Sequence, residues 1–520
     1  MLTPVLLPLA GGTIALIVSI VHWRRVAWAV VLTAIFAAAV VMGLNAAQAS
    51  AHALSSAPGT VIQVAGGWSE RAGIVIVMDT AGVVLGPVVL IVAFLILLTA
   101  AGQRQFGSVF AGVAAITVAA MTGVILSGDL FNLFVFFEAL SLGAVILIAW
   151  ERRGPALYAA LRYLVVGTVS IAFYLIGLLL VYRSTGELAI HRIIPILAGS
   201  EVTRGTTVGL GCMLAAVATR GAILPFHGWL PAAHGEAPAP VSALLSGLML
   251  KSALVALWRI STIVRVAAPQ LLETLLVLGA LSAVAGAFAA ALESDAKRVL
   301  AFSSISQMGY LVTALAVGAR EAMLYHAVGH ALFKSTLFLV IGAAVSRAGS
   351  HQLSEIGRVN RRDGYPWIEG PVLLIGALAV AGAPGFSGFA GKQLIGAALY
   401  SSPAAYLALR IAALGTVTAT MRLLLVYGNG RPRFSGAPMT TTAALAALAA
   451  AILWHGGQHL HLVSPAATVE FLIILGVAAA MVALSRIPRF WQFVTTPGRI
   501  RPGMDAVIVS VLAGIILLIR

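Results

Sequence analysis

The sequence predicts an all-α polytopic membrane protein with about 14–16 transmembrane helices. Three observations lead there. Of 520 residues, 60% are hydrophobic and 9% charged, with a mean hydropathy of +1.02. An ordinary soluble domain carries roughly 25% charge, so this chain has too little polar surface to cover a core in water. The apolar runs are long and unbroken, whereas strands of a membrane barrel alternate polar and apolar over about ten residues.

The runs lie near 3–22, 26–46, 78–100, 107–126, 130–150, 160–183, 205–226, 238–260, 271–292, 297–317, 322–345, 368–399, 403–427, 439–455, 467–485 and 503–519. Most are joined by short connections. The longest segments outside them, about 47–77 and 346–367, are too short for a core of their own. The first run has no basic lead and ends in "HWRR", with Arg24 and Arg25, the reverse of a signal peptide. "AAQASA" at 46–51 resembles a cleavage site but follows two spans.

Orientation follows from basic residues, which favour cytoplasmic loops. With "HWRR" inside, alternation places Arg104, Arg152, Arg153, Lys297, Arg298, Arg347, Arg358, Arg361, Arg362, Arg431, Arg433, Arg486, Arg489, Arg499 and Arg501 on the inner face. The outer loops hold fewer: Arg71, Arg183, Arg192, Arg204, Arg265 and Arg320. Both termini are then expected outside, in a multi-pass protein of the cell's inner (plasma) membrane. The net charge of +15 becomes an inner-face feature rather than a sign of nucleic-acid binding.

The single Cys212 excludes a disulfide or a cysteine-held cluster within this chain. No phosphate loop, dinucleotide fingerprint, zinc-protease motif or nucleophile elbow occurs. No cofactor and no metal are expected, and any redox chemistry belongs to partners.

The charges inside the runs carry the functional signal. Glu138 sits in "DLFNLFVFFEALSLGAVILIAW", among thirteen Leu, Ile, Val and Phe residues. Those outweigh the roughly 2.5–3.5 kcal/mol that a carboxylate costs at a helix centre. Glu138 therefore marks a helix side that faces protein or water. The chain has 28 Arg and four Lys. Lys297 falls in the loop "ESDAKR"; Lys251, Lys334 and Lys392 fall inside apolar runs. A buried lysine can release its proton and an arginine cannot, which gives a reason for lysine where arginine is otherwise preferred. In "YHAVGHALFKS", His326, His330 and Lys334 recur every four residues and share one helix face. The bland reading is polar packing; the functional one is a hydrated proton path. No carboxylate joins the stripe, which argues against a metal.

Two runs are interrupted. The seventh, "RGAILPFHGWLPAAHGEAPAP", holds four prolines, and the twelfth, "AVAGAPGFSGFAGK", holds Pro384 among four glycines. Five helices separate the breaks, the arrangement of an inverted-repeat transporter with a site at mid-membrane.

Five stretches, "GDLFNLFVFFEALS", "FHGWLPAAHGEAPAPVSALLSGLMLKSALVALWR", "DAKRVLAFSSISQMGY", "HALFKSTLFLVIG" and "PGFSGFAGK", resemble the antiporter-like membrane subunits. These occur in Mrp-type Na+/H+ antiporters, in the proton-pumping arm of NADH-quinone oxidoreductase (complex I) and in membrane-bound hydrogenases. The first stretch looks most like the D-type component of Mrp antiporters. The resemblance covers roughly residues 70–430. It implies inverted five-helix repeats, with broken helices 7 and 12: N-terminal helices 1–3 at 1–106, a first repeat at 107–260, a second at 271–427 and C-terminal helices at 428–520. It implies that Glu138 starts the buried charge chain, that Lys251 continues it on helix 8, that His326, His330 and Lys334 continue it on helix 11, and that Lys392 lies near the outward half-channel. One position departs: the lysine that pairs with the helix-5 glutamate is here Arg220.

The leading functional reading is a proton-translocating subunit of a multi-subunit complex, moving H+ alone or in exchange for Na+. Its partners would be other membrane subunits and the lipid bilayer, with no nucleic acid. Two alternatives remain open: a non-pumping coupling or scaffold subunit of an NADH-quinone oxidoreductase or membrane-bound hydrogenase, and an inorganic-carbon uptake subunit. A catalytic centre of its own is not expected.

Overall fold

A computed structural model describes residues 1–55, 60–69, 73–428, 430–434 and 437–484. The expected run at 503–519 and the inner-face arginines from Arg486 to Arg501 lie outside the described residues, as does Arg71. Within them the chain is a polytopic helical membrane protein, with 12 helices long and apolar enough to cross a bilayer.

Two helices, α1 (Thr3–Ser19) and α2 (Arg24–Ser55), lead into a hairpin of β1 (Val61–Val64) and β2 (Val75–Met78). Then follow α3 (Thr80–Ala101), α4 (Ser108–Leu126), α5 (Leu130–Ile148), α6 (Gly154–Thr185) and a short α7 (Ile190–Ala198). Next come α8 (Arg204–Arg220), α9 (Trp229–Glu236) and α10 (Ala239–Leu244), which runs through a π turn at Leu245–Met249 into α11 (Leu250–Ala267). The second half holds α12 (Gln270–Leu292), α13 (Ala296–Ala316), α14 (Arg320–Ala348), α15 (Leu353–Asp363), α16 (Glu369–Ala381), α17 (Ser387–Ala398) and α18 (Pro403–Gly428), followed by α19 (Met439–Gly457) and α20 (Pro465–Leu484).

Helix starts are set by side chains that satisfy free backbone N–H groups. Asp79 accepts from Gly82 N at 2.9 Å and caps α3; Asp129 accepts from Asn132 N at 2.6 Å and caps α5. Asp295 does the same for α13, accepting from Lys297 N and Arg298 N. That cap corrects one expectation. Lys297 is not on a loop but in the first turn of α13, and it is buried.

Small residues let the inner helices touch backbone to backbone, the usual glue where no water drives association. A Cβ added at Gly309 on α13 would lie 2.3 Å from Ala283 N on α12, and one at Gly286 2.5 Å from Ser306 N. Burial is uneven as a result. The apolar windows of α10–α11 and α13 are wholly inside the protein, whereas that of α6 is 39% buried. Lys251 lies on one of these innermost helices, and α14, whose apolar window is 89% buried, carries His326, His330 and Lys334.

Helical structure stops twice in the middle of apolar runs. Between α8 and α9, Ala222 takes a left-handed conformation and Pro225 follows a cis bond. Between α16 and α17, Gly382 sits at φ 82° and Gly385 at φ 85°. A residue with a side chain at Gly382 would be strained there and would also press within 3.2 Å of Lys392 Cδ.

Candidate functional site

At one end of the line, Glu138 on α5 meets Arg220, the last residue of α8. Arg220 donates to Glu138 Oε1 at 3.3 Å, to Tyr163 Oη at 3.3 Å and to the Gly167 carbonyl at 3.2 Å, and it contacts Ser141 Oγ. The guanidinium is 6% exposed and the glutamate 39%. Gly167 on α6 gives the guanidinium its space, since an added Cβ would come within 3.3 Å of it. The fork of an arginine, with five donors, explains how one cation can bind four partners at once.

Tyr163 carries the contact inward. Its hydroxyl faces Met249 Sδ at 3.8 Å, and its ring packs on Trp229 at 4.9 Å. Met249 closes the π turn, and Lys251 follows two residues later. Such turns concentrate at functional sites because they redirect a carbonyl. Here the carbonyl is that of Ser246, which accepts from Lys251 Nζ at 2.9 Å. Gly247 in the same turn allows α14 to approach, for an added Cβ would clash with Ser335 Oγ.

That approach brings Lys251 Nζ into contact with His330 Nδ1. An ammonium donating to Nδ1 requires the imidazole proton on Nε2. Nε2 is buried and makes no hydrogen bond to protein. Lys334, one turn further on α14, donates to the Leu300 carbonyl at 3.0 Å. On the other side, His326 Nε2 meets Gln307 Oε1 at 3.0 Å. Lys251, His326, His330 and Lys334 have no solvent exposure at all.

Lys392 on α17 reaches back across the second break. It donates to the carbonyls of Val380 and Ala381 at 2.9 and 3.2 Å, the last turn of α16. Those carbonyls have lost their helical partners, and a cation at a helix C-terminus is favourable. Its ammonium lies 5.5 Å from the Tyr310 ring centre. The His326 ring packs on Gly391, where a Cβ would fall 2.4 Å from Nδ1. The seven expected residues thus form two groups: Glu138 with Arg220, and Lys251, His330, Lys334, His326 and Lys392 around α14. Lys251 and Lys334 stand in each other's field, as do Lys334 and Lys392. Among the described residues, no carboxylate pairs with any of these three lysines.

Sequence reasoning passed over several groups. His234 on α9 is fully buried, stacked on Phe338 at 4.5 Å, with neither ring nitrogen hydrogen-bonded to protein. It lies in the field of both Lys334 and Lys297. Lys297 donates to the Ala237 carbonyl at 2.8 Å and borders a cavity of 580 Å³ that also touches Glu151, Arg104 and Gln103. Arg347 and Glu369 form a two-pronged pair at 2.5 and 2.6 Å, joined by Tyr427 Oη at 3.1 Å. Arg259 pairs with Asp79 at 3.4 Å. The two-residue "AH" before "GEAP" was the one signal that could have flagged His234. Among the described residues, no three His, Cys, Asp or Glu side chains converge on a metal site.

A polytopic bundle with buried titratable groups packed between its helices defines a class of membrane protein in which charge is held within the membrane. Residues 127–419 match the family described as NADH:quinone oxidoreductase/Mrp antiporter, TM. The chain belongs to that family. It is 35% identical over 341 residues to the N component of the NADH-quinone oxidoreductase of Desulforudis audaxviator, covering 63% of this chain and 66% of that one. It is 30% identical over 340 residues to the D component of the Na(+)/H(+) antiporter of Alkalihalophilus pseudofirmus, covering 64% and 68%. The chain thus spans about two thirds of the length of these relatives. Its fold is similar to a chain of the Mrp complex from Dietzia sp., with a TM-score of 0.76 at 22% identity and coverage of 92% and 99%. It is equally similar to a chain of the membrane-bound sulfane sulfur reductase, an archaeal respiratory membrane complex, at 0.77, 23%, 92% and 97%.

Proposed function

We propose that this chain is a proton-translocating subunit of a hetero-oligomeric complex in the plasma membrane, moving H+ alone or in exchange for Na+. The contact between Lys251 and His330, in line with Lys334, His326 and Lys392, carries the reading. Each of these groups exists in two protonation states, and each is near enough to feel its neighbour's charge. Their titrations are therefore coupled: a proton arriving at one changes the readiness of the next to give its own up. Arg220 does not relay, because a guanidinium keeps its proton. It acts as a fixed cation that holds Glu138, and movement between the two sets the charge felt by Lys251. The segments 107–260 and 271–427 would be the two repeated units, with both termini outward.

The half-exposed Glu138 supports a neighbouring subunit. On the same face of α5 it is flanked at helical spacing by exposed Phe131, Val135 and Leu142. A carboxylate at that depth is costly against lipid, and a protein neighbour or enclosed water removes the cost. Relatives named as components of an oxidoreductase and of an antiporter fit such a place in a larger assembly. The test is proton uptake by vesicles carrying the complex. The reading expects uptake to be lost in Lys251→Met with assembly intact, and retained uptake would overturn it.

A second reading, a coupling or scaffold subunit without pumping of its own, is favoured by one observation. The position next to Glu138 that would hold a releasable proton in a lysine is the arginine Arg220. Arg220→Gln separates the two, since a scaffold would tolerate that loss in transport assays.

A further inference from the structure

Beyond Lys392 the molecule holds a cluster of rings whose three histidines lie outside both the family match at 127–419 and the expected site. His455 near the end of α19 stacks on Tyr325 of α14, with ring centres 4.1 Å apart and planes 20° apart. His459 meets the same Tyr325 ring edge-on at 4.5 Å, and His461 follows at 5.4 Å. Tyr325 Oη donates to the His455 carbonyl at 2.5 Å. The three histidines pass from buried His455, through partly buried His459, to exposed His461.

This cluster touches the titratable line. His326 lies one residue from Tyr325 and stands in the field of both His455 and Lys392. Gly329, one turn along α14, leaves a gap bounded by Ser387 Oγ at 3.3 Å and His455 Cε1 at 3.6 Å from where a Cβ would be. A Cβ added at Gly456 would fall 2.6 Å from Gly385 O and 2.7 Å from Ser387 N, so the end of α19 sits close on the second break. Four buried polar atoms along this course make no hydrogen bond to protein: His326 Nδ1, Ser387 Oγ, His455 Nδ1 and His459 Nδ1. Buried polar atoms are normally paired, and a row of unpaired ones fits a course that ordered water completes. Two nitrogens per ring let each histidine accept on one side and donate on the other.

We propose that His455, His459 and His461 form the outer proton exit of this subunit, carrying protons from His326 and Lys392, past Ser387, to the surface. The exit is built by α19 and the turn after it, residues that lie outside the family match at 127–419. No bond other than O–H and N–H changes: a proton on one ring nitrogen leaves as another arrives on the opposite nitrogen. The groups facing His455 are Tyr325 of α14, His326 in its field, Ser387 at the start of α17 across the Gly329 gap, and His459 beside it.

The inference rests on the translocation reading above, and the experiment keeps the two apart. Proton flux is measured in vesicles carrying the complete complex, with Lys251→Met as the reference variant. His455→Phe keeps a ring on Tyr325 but has no proton to pass, and flux is expected to fall at least about 10-fold with subunits still co-purifying. His455→Ala opens space for a small base, and imidazole added outside is expected to restore flux. Wild-type flux in His455→Phe overturns the exit while Lys251→Met still tests translocation itself. Loss in His455→Ala without rescue by imidazole also overturns it, because that is the behaviour of a packing residue. Normal flux in Lys251→Met would instead remove the translocation reading and the exit with it.

Discussion

The region around Glu138 and the region around α14 solve the problem of buried charge in opposite ways. Glu138 faces a cation that never lets go of its proton, and that cation is gripped by four partners on α5 and α6. Lys251, Lys334 and Lys392 face carbonyls, imidazoles and one another. A pair of fixed opposite charges stores field; a row of lysines and histidines without carboxylates can hold a variable number of protons. On the translocation reading proposed above, the two regions would do different work. The Glu138 region would set a charge, and the line of Lys251 and the α14 groups would move protons in answer to it.

The largest effect should come from removing the carboxylate that the first half holds within the membrane. Glu138→Gln keeps shape and a hydrogen-bond acceptor for Arg220. Proton uptake in vesicles should fall by about 100-fold or more, with normal assembly. Unchanged uptake would show that the line of Lys251 and the α14 groups works without a charge to answer.

Arg220 sharpens the contrast. If it acts only as a cation, Arg220→Lys should retain transport within about three-fold, while Arg220→Gln, which leaves Glu138 unpaired, should lose at least about ten-fold. Equal loss in both would mean that the fork-shaped grip on Ser141, Tyr163 and Gly167 matters more than charge.

A smaller effect is expected at His234. It stands in the field of both Lys334 and Lys297 and bonds neither, so on the translocation reading it would be a branch toward the cavity beside Lys297. His234→Phe should preserve the stack on Phe338 and slow uptake partially, less than Glu138→Gln. A loss as large as that of Glu138→Gln would make the branch part of the main line.

The smallest effect concerns stability. Burial pushes the Asp295 carboxyl up, but hydrogen bonds from His351 and from the backbone of Arg298 and Lys297 outweigh it, and the group stays below its usual 3.8. A carboxyl held lower in the folded state than in the unfolded one stabilises the fold above pH 3.8 and loses that contribution as pH falls through its folded value. Asp295→Ala should cost about 0.5–2 kcal/mol at neutral pH, as lost helix caps do, and less at an acid pH where the carboxyl has taken up its proton. Thermal unfolding in detergent at the two pH values reads this directly.

Much of the fold could be read because spanning helices announce themselves by length and composition. Fifteen of the sixteen apolar runs fall on described helices, and the two interrupted runs are the ones dense in Pro and Gly. Glu138, Arg220 and the stripe on α14 stood out as charges in apolar context. What stayed hidden depends on packing. Lys297 reads as a loop residue because Asp295, its cap, is charged too; only the neighbouring helix end buries it. The π turn before Lys251 has no sequence signature, since Leu, Ser, Gly and Met fit an ordinary helix equally well. His234 and His455 look like single histidines until α14 brings Phe338 and Tyr325 against them. The hairpin at Val61–Met78 and the amphipathic α7 and α15 lie outside the apolar signal altogether.

The central claim is that the line of Lys251 and the α14 groups works by releasing protons and not by holding positive charge. Lys251→Arg tests it most directly, since it keeps the charge beside His330 and removes the ability to let the proton go. In vesicles carrying the assembled complex, the account predicts that proton uptake is lost while the subunits still co-purify. Uptake at the wild-type rate would contradict it, and would show that a fixed cation at that position is enough.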